Sequence, residues 1–374
     1  MIQGIHLTLM IGPMVPIPAP QPVMDALVSA KVTSGKDTSG FQLTFAVSKR
    51  SPLLTTMLPA GYFDPMVTRV ILIVTMGGLP HVIMDGIITN QELTPSSEPG
   101  QSTLTITGSD LSVLMNVIEI VRPFPAMNDM LQVLAVLAPY LVLGITPIVM
   151  PTLFSVFKIP VEQIDSQRGT DLEHIKMLAG NNGYVFYVDP GPLPGQSIAY
   201  FGPDIRIPVP QPALSINMDA ETNVESLSFS LDGLAKEVLI VTAFDPITAK
   251  IPIPIPIPNI SVFQPPLGAR PTPPAKITFT KNMADKRPDE ILQQIVGRLI
   301  KGSNAISASG TLDVLRYGHV LRSRMLVGVR GAGLAYDGLY YVDSVTHDLK
   351  RGEYKQSFQL SRDGLISNTP KVPV

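Results

Sequence analysis

The stretch from Arg69 to Glu92 reads Arg69-Val-Ile-Leu-Ile-Val-Thr-Met-Gly-Gly-Leu-Pro-His-Val-Ile-Met-Asp-Gly-Ile-Ile-Thr-Asn-Gln-Glu92. Its β-branched and apolar residues favour strands. The dipeptides Gly77-Gly78 and Asp85-Gly86 are typical of tight turns, because such turns need backbone with positive φ. The stretch therefore predicts a strand, a glycine turn, a short segment, an Asp-Gly turn and a further strand that ends on an acidic residue.

A second stretch, residues 324–348, follows the same plan. It begins at Arg324, passes the pair Gly331-Ala-Gly333, reaches Asp337-Gly338 and ends on Asp348. Each stretch is followed by one more strand and a turn that contains Gly and Asp. The shared order predicts an internal duplication in which Asp85-Gly86 and Asp337-Gly338 are equivalent hairpins. Because the two stretches share few identical residues, a chance likeness of generic hairpins is the alternative.

Residues 1–115 are predicted to be a small β-barrel that follows a proline-rich N-terminal arm. Short runs with strand-like composition are separated by turn residues, which is typical of such barrels. The predicted strands span 23–31, 41–48, 68–75, 81–84, 87–92 and 102–107.

Residues 116–210 are predicted to form an α/β middle domain. Asn128 and Asp129 are placed to cap a helix that runs to Leu137. The sequence Thr170-Asp-Leu-Glu173 matches a capping box at the start of a second helix. A strand over 183–189 follows, so helix, glycine turn and aromatic strand form a compact unit.

Residues 211–374 return to β structure. We divide them into 211–280, the start of a second barrel with a proline-rich insertion over 251–274, and 281–374, the remainder of that barrel. The alternating Ile-Pro run over 251–258 predicts an extended, polyproline-like arm, either a linker or a docking arm. A short amphipathic helix is predicted over 289–300. The predicted strands span 213–219, 224–230, 238–244, 309–314, 325–329, 339–345 and 354–360.

The composition of the chain excludes several kinds of functional site and suggests a covered surface. The chain of 374 residues has no cysteine, which excludes disulfides, thiolate metal sites and cysteine nucleophiles. Only 16% of its residues are charged, so part of its outside is expected to be covered by a partner. Residues 1–280 carry a net charge of −7 (14 − 21) and residues 281–374 one of +5 (14 − 9). This asymmetry either suits stacking between unlike faces or arises by chance, and no pattern typical of a nucleic-acid reader accompanies it.

We identify no catalytic, cofactor-binding or metal-binding residues. The five histidines lack metal-site spacing, and no nucleophile elbow, P-loop or dinucleotide fingerprint is present. The densest basic group is either a solvated strand face or an electrostatic docking surface. It consists of Arg316, Arg322, Arg324 and Arg330.

Residues 130–157 contain no charged side chain and are long enough to cross a bilayer. Pro139, Gly144, Pro147 and Pro151 interrupt the segment, which favours a buried or partner-covered insert over a membrane span. The N-terminus lacks the basic region of a signal peptide, so we expect no export by that route.

Two further stretches resemble a known family. Residues 170–189, Thr-Asp-Leu-Glu-His-Ile-Lys-Met-Leu-Ala-Gly-Asn-Asn-Gly-Tyr-Val-Phe-Tyr-Val-Asp, resemble the helix–turn–strand of phage late control D proteins and of contractile injection system baseplate hubs. Residues 336–347, continuing into 351–362, resemble the last hairpin of such a hub's second barrel.

The resemblance implies a homotrimer with two tube-protein-like barrels per chain. Three chains then present six similar barrels, whose pseudo-sixfold symmetry adapts a threefold spike to a sixfold inner tube. The implied partners are a separate spike protein, the inner tube ring and baseplate wedge components. The implied location is a phage-tail-like particle assembled in the bacterial cytoplasm. Many hubs continue into an OB domain and a spike, and this sequence departs from that pattern.

The leading expectation is therefore a non-enzymatic structural hub that lines a central channel and needs no cofactor. The alternative is a membrane-associated or envelope β-protein anchored through 130–157. A carbohydrate-active enzyme is disfavoured, because no paired carboxylates are identifiable.

Overall fold

The structure is a computed structural model. It describes all of the chain except residues 1–3, 37, 99, 153–164, 207–208, 245–251, 258–263, 280–292, 294–296, 298–303 and 370–374. The predicted helix over 289–300 therefore lies outside the described residues, apart from Gln293 and Gly297.

The N-terminal part is mainly β. A helix, α1, spans Gln21–Ala26, and short helical turns span Leu53–Met57 and Leu111–Asn116. Strand β1 was not predicted, because prolines crowd the residues that follow it. The strands are β1 His6–Pro13, β2 Ile17–Pro18, β3 Leu27–Ser34, β4 Ser39–Ala46, β5 Thr68–Met76, β6 Leu79–Thr94 and β7 Thr103–Asp110.

The middle part has helices and a hydrophobic core cluster that also includes Leu111 and Met115. Asn128 caps helix α2 through its side chain, and Thr170 and Glu173 form the predicted capping box of helix α3. The elements are β8 Glu119–Phe124, α2 Asp129–Leu137, a 3-10 turn Ala138–Leu143, β9 Ile145–Val149, β10 Asp165–Thr170, α3 Asp171–Asn182, β11 Val185–Pro190 and β12 Ser197–Gly202.

The described part of the charge-free segment, residues 130–152, is divided among these elements and the residues between them. Pro139 lies in the first turn of the 3-10 segment after α2, and Gly144 ends that segment in the left-handed conformation. Among the described residues, no helix is both long and apolar enough to cross a membrane.

The C-terminal part returns to strands. It includes a short helix, α4 Val314–Tyr317, and a 3-10 turn at Asp219–Glu221. The strands are β13 Gln211–Ser215, β14 Val224–Leu231, β15 Glu237–Phe244, β16 Pro252–Ile257, β17 Gly268–Pro271, β18 Lys276–Phe279, β19 Ile306–Asp313, β20 Leu326–Arg330, β21 Gly338–Lys350, β22 Glu353–Arg362 and β23 Gly364–Ser367.

The Ile-Pro run is not a free polyproline arm. Residues 252–257 form β16, which pairs antiparallel with β15 at the edge of a small sheet whose order is β16-β15-β18. Proline lacks an N–H and is tolerated in edge strands. Alternation with isoleucine leaves every second residue able to donate toward β15, which explains how this sequence pairs on one side.

One 13-stranded sheet contains two halves with the same strand order. The first half runs β1-β5-β6-β7-β4-β3, and the second runs β13-β20-β21-β22-β19-β14. Within each half, the strands follow the chain in the same sequence. The halves differ in their first strand, because β1 is antiparallel to β5 whereas β13 is parallel to β20. Strands β3 and β21 pair antiparallel and join the two halves edge to edge.

Bulges mark equivalent residues in the two halves. The register shifts at Val28 in β3 and at Glu225 in β14, against β4 and β19 respectively. It also shifts at Thr89 in β6 and at Asp343 in β21, against β7 and β22. Both pairs of bulges give one alignment across four strands. The row Lys31–Gln42–Thr107–Asn90 thereby matches the row Ser228–Ser309–Gln359–Ser344.

The predicted repeat is therefore present in the strand order, but the predicted alignment was wrong by two residues. Counted from the bulges, Asp85 matches Leu339, and Met84 matches Gly338. Asp85-Gly86 is not a hairpin turn, because both residues lie inside the continuous strand β6. The first hairpin turns at Gly77 and Gly78, which both have positive φ. Residues 331–337 form the corresponding loop before β21.

Candidate assembly and channel surface

The sheet face turned away from the hydrophobic core carries hydroxyl side chains across both halves. One row crosses five strands through hydroxyl residues. In it, the Oγ atoms of Ser226 and Thr311 are 2.8 Å apart, and those of Thr33 and Thr346 are 3.2 Å apart. Residues in one row lie side by side in neighbouring strands. The row is Ser226–Thr311–Ser357–Thr346–Thr33.

Neighbouring rows continue this character. Ser228 Oγ lies 3.0 Å from Ser309 Oγ, and Gln359 and Ser344 extend that row. The first half has the same polar character, because threonines occupy alternate positions of β7. This alternation is visible in the sequence. In the second half, charged side chains gather toward one end of the strands, where Lys350 and Asp348 pair at 3.3 Å, and the rows of Ser226 and Ser228 are uncharged. The first half places two exposed charged side chains, Lys31 and Glu92, on the same face.

Strand β14 and the far end of strand β6 each have an open edge within the described chain. Strand β14 pairs with β19 on one side only. Strand β6 pairs with β5 only as far as Ile87, so beyond Ile88 its ladder partner is β7 alone. Leu93 and Leu231 lie on these edges, and each is 43% exposed.

Asp85 anchors the middle part rather than a hairpin. Arg69 donates from Nε to Asp85 Oδ1 and from Nη2 to Asp85 Oδ2, both at 2.7 Å. The same guanidinium donates to the carbonyls of Leu143 at 2.9 Å and Gly195 at 3.1 Å, and Ser197 Oγ donates to Asp85 at 3.0 Å. Both charged side chains are buried. This buried pair therefore fastens two middle-part loops to strands β5 and β6.

Arg324 holds the second half to the middle part. Its side chain is 6% exposed, pairs with Asp189 and lies over the Tyr187 ring at 4.0 Å. It also donates to the Gly35 carbonyl in the β3–β4 turn. Arg324 was predicted to belong to an exposed basic group, and the structure corrects that prediction: its charge is used inside the chain.

The other arginines of that group lie nearer the surface. Arg316 and Arg322 are exposed, and Arg330 is half-buried. The Arg322 guanidinium lies 3.1 Å from His81 Nδ1 of the first half. A docking role for these three remains a prediction.

Asp337 and Gly338 do lie at a hairpin. Asp337 Oδ1 accepts from the Ala332 N–H at 2.7 Å, and Arg362 donates to the Asp337 carbonyl at 2.8 Å. Gly338 has φ +125, and a Cβ there would meet Ser367 at 2.2 Å. The loop projects Leu334, which is 90% exposed, and the first hairpin projects Leu79, which is 66% exposed. The two halves thus present similar apolar tips, whose interface role remains a prediction.

His347 lies buried where the halves join. Its Nδ1 is 2.7 Å from Tyr354 Oη and 3.2 Å from Gln356 Nε2, and its strand position pairs with Val32 of β3. Burial, with a smaller contribution from the Arg322 charge, lowers the pKa of His347 to about 3. The folded protein therefore holds this ring neutral far below the ordinary histidine pKa.

We predict an acid-dependent loss of stability from His347. Between pH 6.5 and about 3, His347 is protonated in the unfolded chain and neutral in the folded chain. The free energy of unfolding therefore decreases as the pH is lowered through this range. The slope from one such group is at most about 1.4 kcal/mol per pH unit. His347→Gln is expected to flatten the fall in urea midpoints measured from pH 7 to pH 4, whereas His6→Gln, at an exposed position, leaves it unchanged. Parallel curves for wild type and His347→Gln would contradict this assignment.

The fold resembles solved tail proteins over nearly the whole chain. A 43 kDa tail protein of prophage MuSo2 from Shewanella oneidensis matches 97% of this chain and 100% of its own, with a TM-score of 0.62 and 14% identity. The tail protein of Neisseria meningitidis MC58 matches 97% and 98%, with a TM-score of 0.60 and 14% identity. A chain of the Francisella PdpA–VgrG complex matches 99% of this chain over 54% of its own, with a TM-score of 0.60 and 9% identity.

No protein-family profile and no curated protein sequence matches the chain. At identities this low, the structural matches define the fold alone. The chain therefore has the fold shared by phage tail proteins and by a VgrG complex, as the resemblance of residues 170–189 and 336–362 led us to expect.

Proposed function

We propose that the protein is the structural baseplate hub of a phage-tail-like contractile injection system. It would act without catalysis, as a homotrimer. Each half of the sheet would serve as one tube-like barrel, so three chains would form a ring of six. The ring would join a trimeric spike on one side to a hexameric inner tube on the other.

The repeated strand order carries this proposal. Equivalent bulges at Val28 and Glu225, and at Thr89 and Asp343, give both halves one architecture. The β3–β21 junction already places the two halves side by side in one chain. A ring of three such chains has exact threefold symmetry, and its six similar halves give it approximate sixfold symmetry. These symmetries suit an adaptor between a trimeric spike and a hexameric tube.

The hydroxyl face supports a channel-lining role. Ser, Thr and Gln side chains solvate a passage well without offering strong ionic attraction to either sign of charge. A cargo moving along such a wall would meet hydroxyl and amide groups on the second half, and on the first half it would also meet Lys31 and Glu92. The low overall charge of the chain also fits the proposal, because neighbouring copies would cover its strand edges.

The remaining surfaces are assigned as part of the proposal. Residues 1–115 and 211–374 would build the wall, and residues 116–210 would lie outside it, where wedge components could bind. The tips at Leu79 and Leu334 would meet a neighbouring ring. Assembly would take place in the bacterial cytoplasm before the particle is complete.

Native mass spectrometry of the purified chain tests the hub. We expect a species of three times the 40.3 kDa chain mass, which binds a trimeric spike protein supplied separately. A chain that stays monomeric or dimeric at micromolar concentration, with and without the spike, would contradict the proposal.

A further inference from the structure

Two strands inside the chain form a contact that the equivalent strands of the opposite halves do not form within the chain. Strand β3 pairs with β21 inside the chain. By the bulge alignment, β14 is the second-half equivalent of β3, and β6 is the first-half equivalent of β21. The unpaired edge of β14 and the unpaired end of β6 are therefore the same two surfaces that meet at the internal junction.

The internal register transfers residue by residue. Thr346 faces Thr33 across the junction. Their equivalents, counted from the bulges, are Glu92 and Ser230. The pairs on either side are Gln91 with Leu231 and Leu93 with Phe229, and the next is Thr94 with Ser228. Pro95 follows and has no N–H to donate, so the transferred ladder ends there.

The chemistry of these edges fits a second copy of this chain. Leu93 and Leu231 are exposed at an edge whose internal counterpart is covered. His347 and Val32, the equivalents of Leu93 and Phe229, are both buried at the junction. Pairing would thus bring Leu93 against Phe229 on the core side and place Glu92 beside Ser230 on the hydroxyl face. An unpaired apolar strand edge is a surface that proteins ordinarily cover.

We infer that β14 of one copy pairs antiparallel with residues 91–94 of β6 in the next copy, in the register Glu92 opposite Ser230. Each chain then offers one edge of each kind, so the contact is head-to-tail, and such a contact forms a ring when the rotation between copies closes. This pairing rests on the proposed function, which gives three copies per ring, and it assigns the strands and the register of the seam between subunits.

Engineered cysteines test the seam on a chain that has none of its own. The variant Glu92→Cys with Ser230→Cys changes two exposed residues. The equivalent internal residues, Thr33 and Thr346, lie directly opposite each other, with their Oγ atoms 3.2 Å apart. Residues directly opposite in an antiparallel pair have Cβ atoms about 4.5–5.5 Å apart, near the separation that a disulfide bridges. Under mild oxidation with copper–phenanthroline, we expect most of the protein to run as a covalent trimer on a non-reducing gel and to return to monomer with reductant.

Two control variants fix the interpretation. Thr33→Cys with Thr346→Cys should oxidise within one chain and stay monomeric in the gel. Glu92→Cys with Ser226→Cys keeps the same strand and face but offsets the thiols by four residues, about 13 Å, so it should give little cross-linking.

The outcomes separate the seam from the hub. Equal cross-linking of the matched and offset pairs would overturn the register. A native trimer whose matched pair stays uncross-linked would overturn the seam and leave the hub standing. A chain that is monomeric by native mass would overturn both. Hydrogen exchange gives a second readout, since residues 91–94 and 228–231 should gain protection when the native trimer forms.

Discussion

Arg69→Met is expected to lower the free energy of unfolding by about 3–5 kcal/mol, because it leaves the Asp85 carboxylate buried without its partner. Asp85 is 1% exposed, and its only charged partner among the described residues is Arg69, at 2.7 Å. The substitution also removes donors from the Leu143 and Gly195 carbonyls. Both effects act on the loops that tie the middle part to the sheet. Urea unfolding followed by far-ultraviolet circular dichroism measures the loss.

Two comparison variants show whether burial causes the effect. Lys355 pairs with Glu225 at 3.0 Å on the surface, and Lys355→Met should leave the urea midpoint nearly unchanged. Arg69→Met combined with Asp85→Leu removes both charges and should recover part of the loss, since no isolated buried charge remains. The recovery is incomplete, because two carbonyls still lack their donor. A loss for Arg69→Met no larger than that for Lys355→Met would contradict the anchor.

Gly86→Ala is expected to cost about 2–3 kcal/mol, the upper part of the range for overpacking a filled core. A Cβ on Gly86 would lie 2.3 Å from the Ser109 carbonyl oxygen of β7, which belongs to the paired sheet and has little freedom to move. Alanine at position 86 destabilises because the backbone of β7 lies too close to its Cβ, whereas alanine at a turn glycine destabilises because the turn requires positive φ. Thermal and urea unfolding of the variant measure it.

Two other glycines serve as references for Gly86. Gly77 is at the real hairpin turn, with open space around a Cβ and φ +58, so Gly77→Ala should cost about 1–2 kcal/mol through backbone strain alone. Gly180 lies in helix α3 with nothing within 4 Å, and Gly180→Ala should stabilise by about 0.5–1 kcal/mol. If Gly86→Ala proves as mild as Gly77→Ala, the placement of Gly86 within a continuous strand is wrong.

Local chemistry made much of the fold predictable. The Thr170–Glu173 capping box, the Asn128 cap and strands β4, β5 and β22 follow from spacing that neighbouring residues fix. The duplication was visible because two hairpins with similar turns stand in the same order. Its alignment was wrong by two residues, since Asp85 was read as a turn residue although its carboxylate pairs with Arg69, sixteen positions earlier. That pairing depends on tertiary structure, so no local pattern announces it.

The candidate surface was predictable only in part. Alternating Ser and Thr residues in β7, β14 and β19 indicate a polar face, but the joining of those faces into one wall depends on the β3–β21 pairing between distant residues. Arg324 illustrates the same limit. Arg322, two positions earlier, is exposed, whereas the Arg324 guanidinium pairs with Asp189 and lies over the Tyr187 ring of the middle part. The bulges at Thr89 and Asp343, which reveal the alignment, leave no distinct mark in the sequence.

A cryo-electron microscopy reconstruction of the isolated ring, compared with itself after a 60° turn about its axis, tests the central claim most directly. We expect the strand wall to coincide with its rotated copy, so that six similar units line the channel, whereas the middle part coincides only after 120°. A wall that repeats only three times, or a particle without a threefold axis, would contradict it.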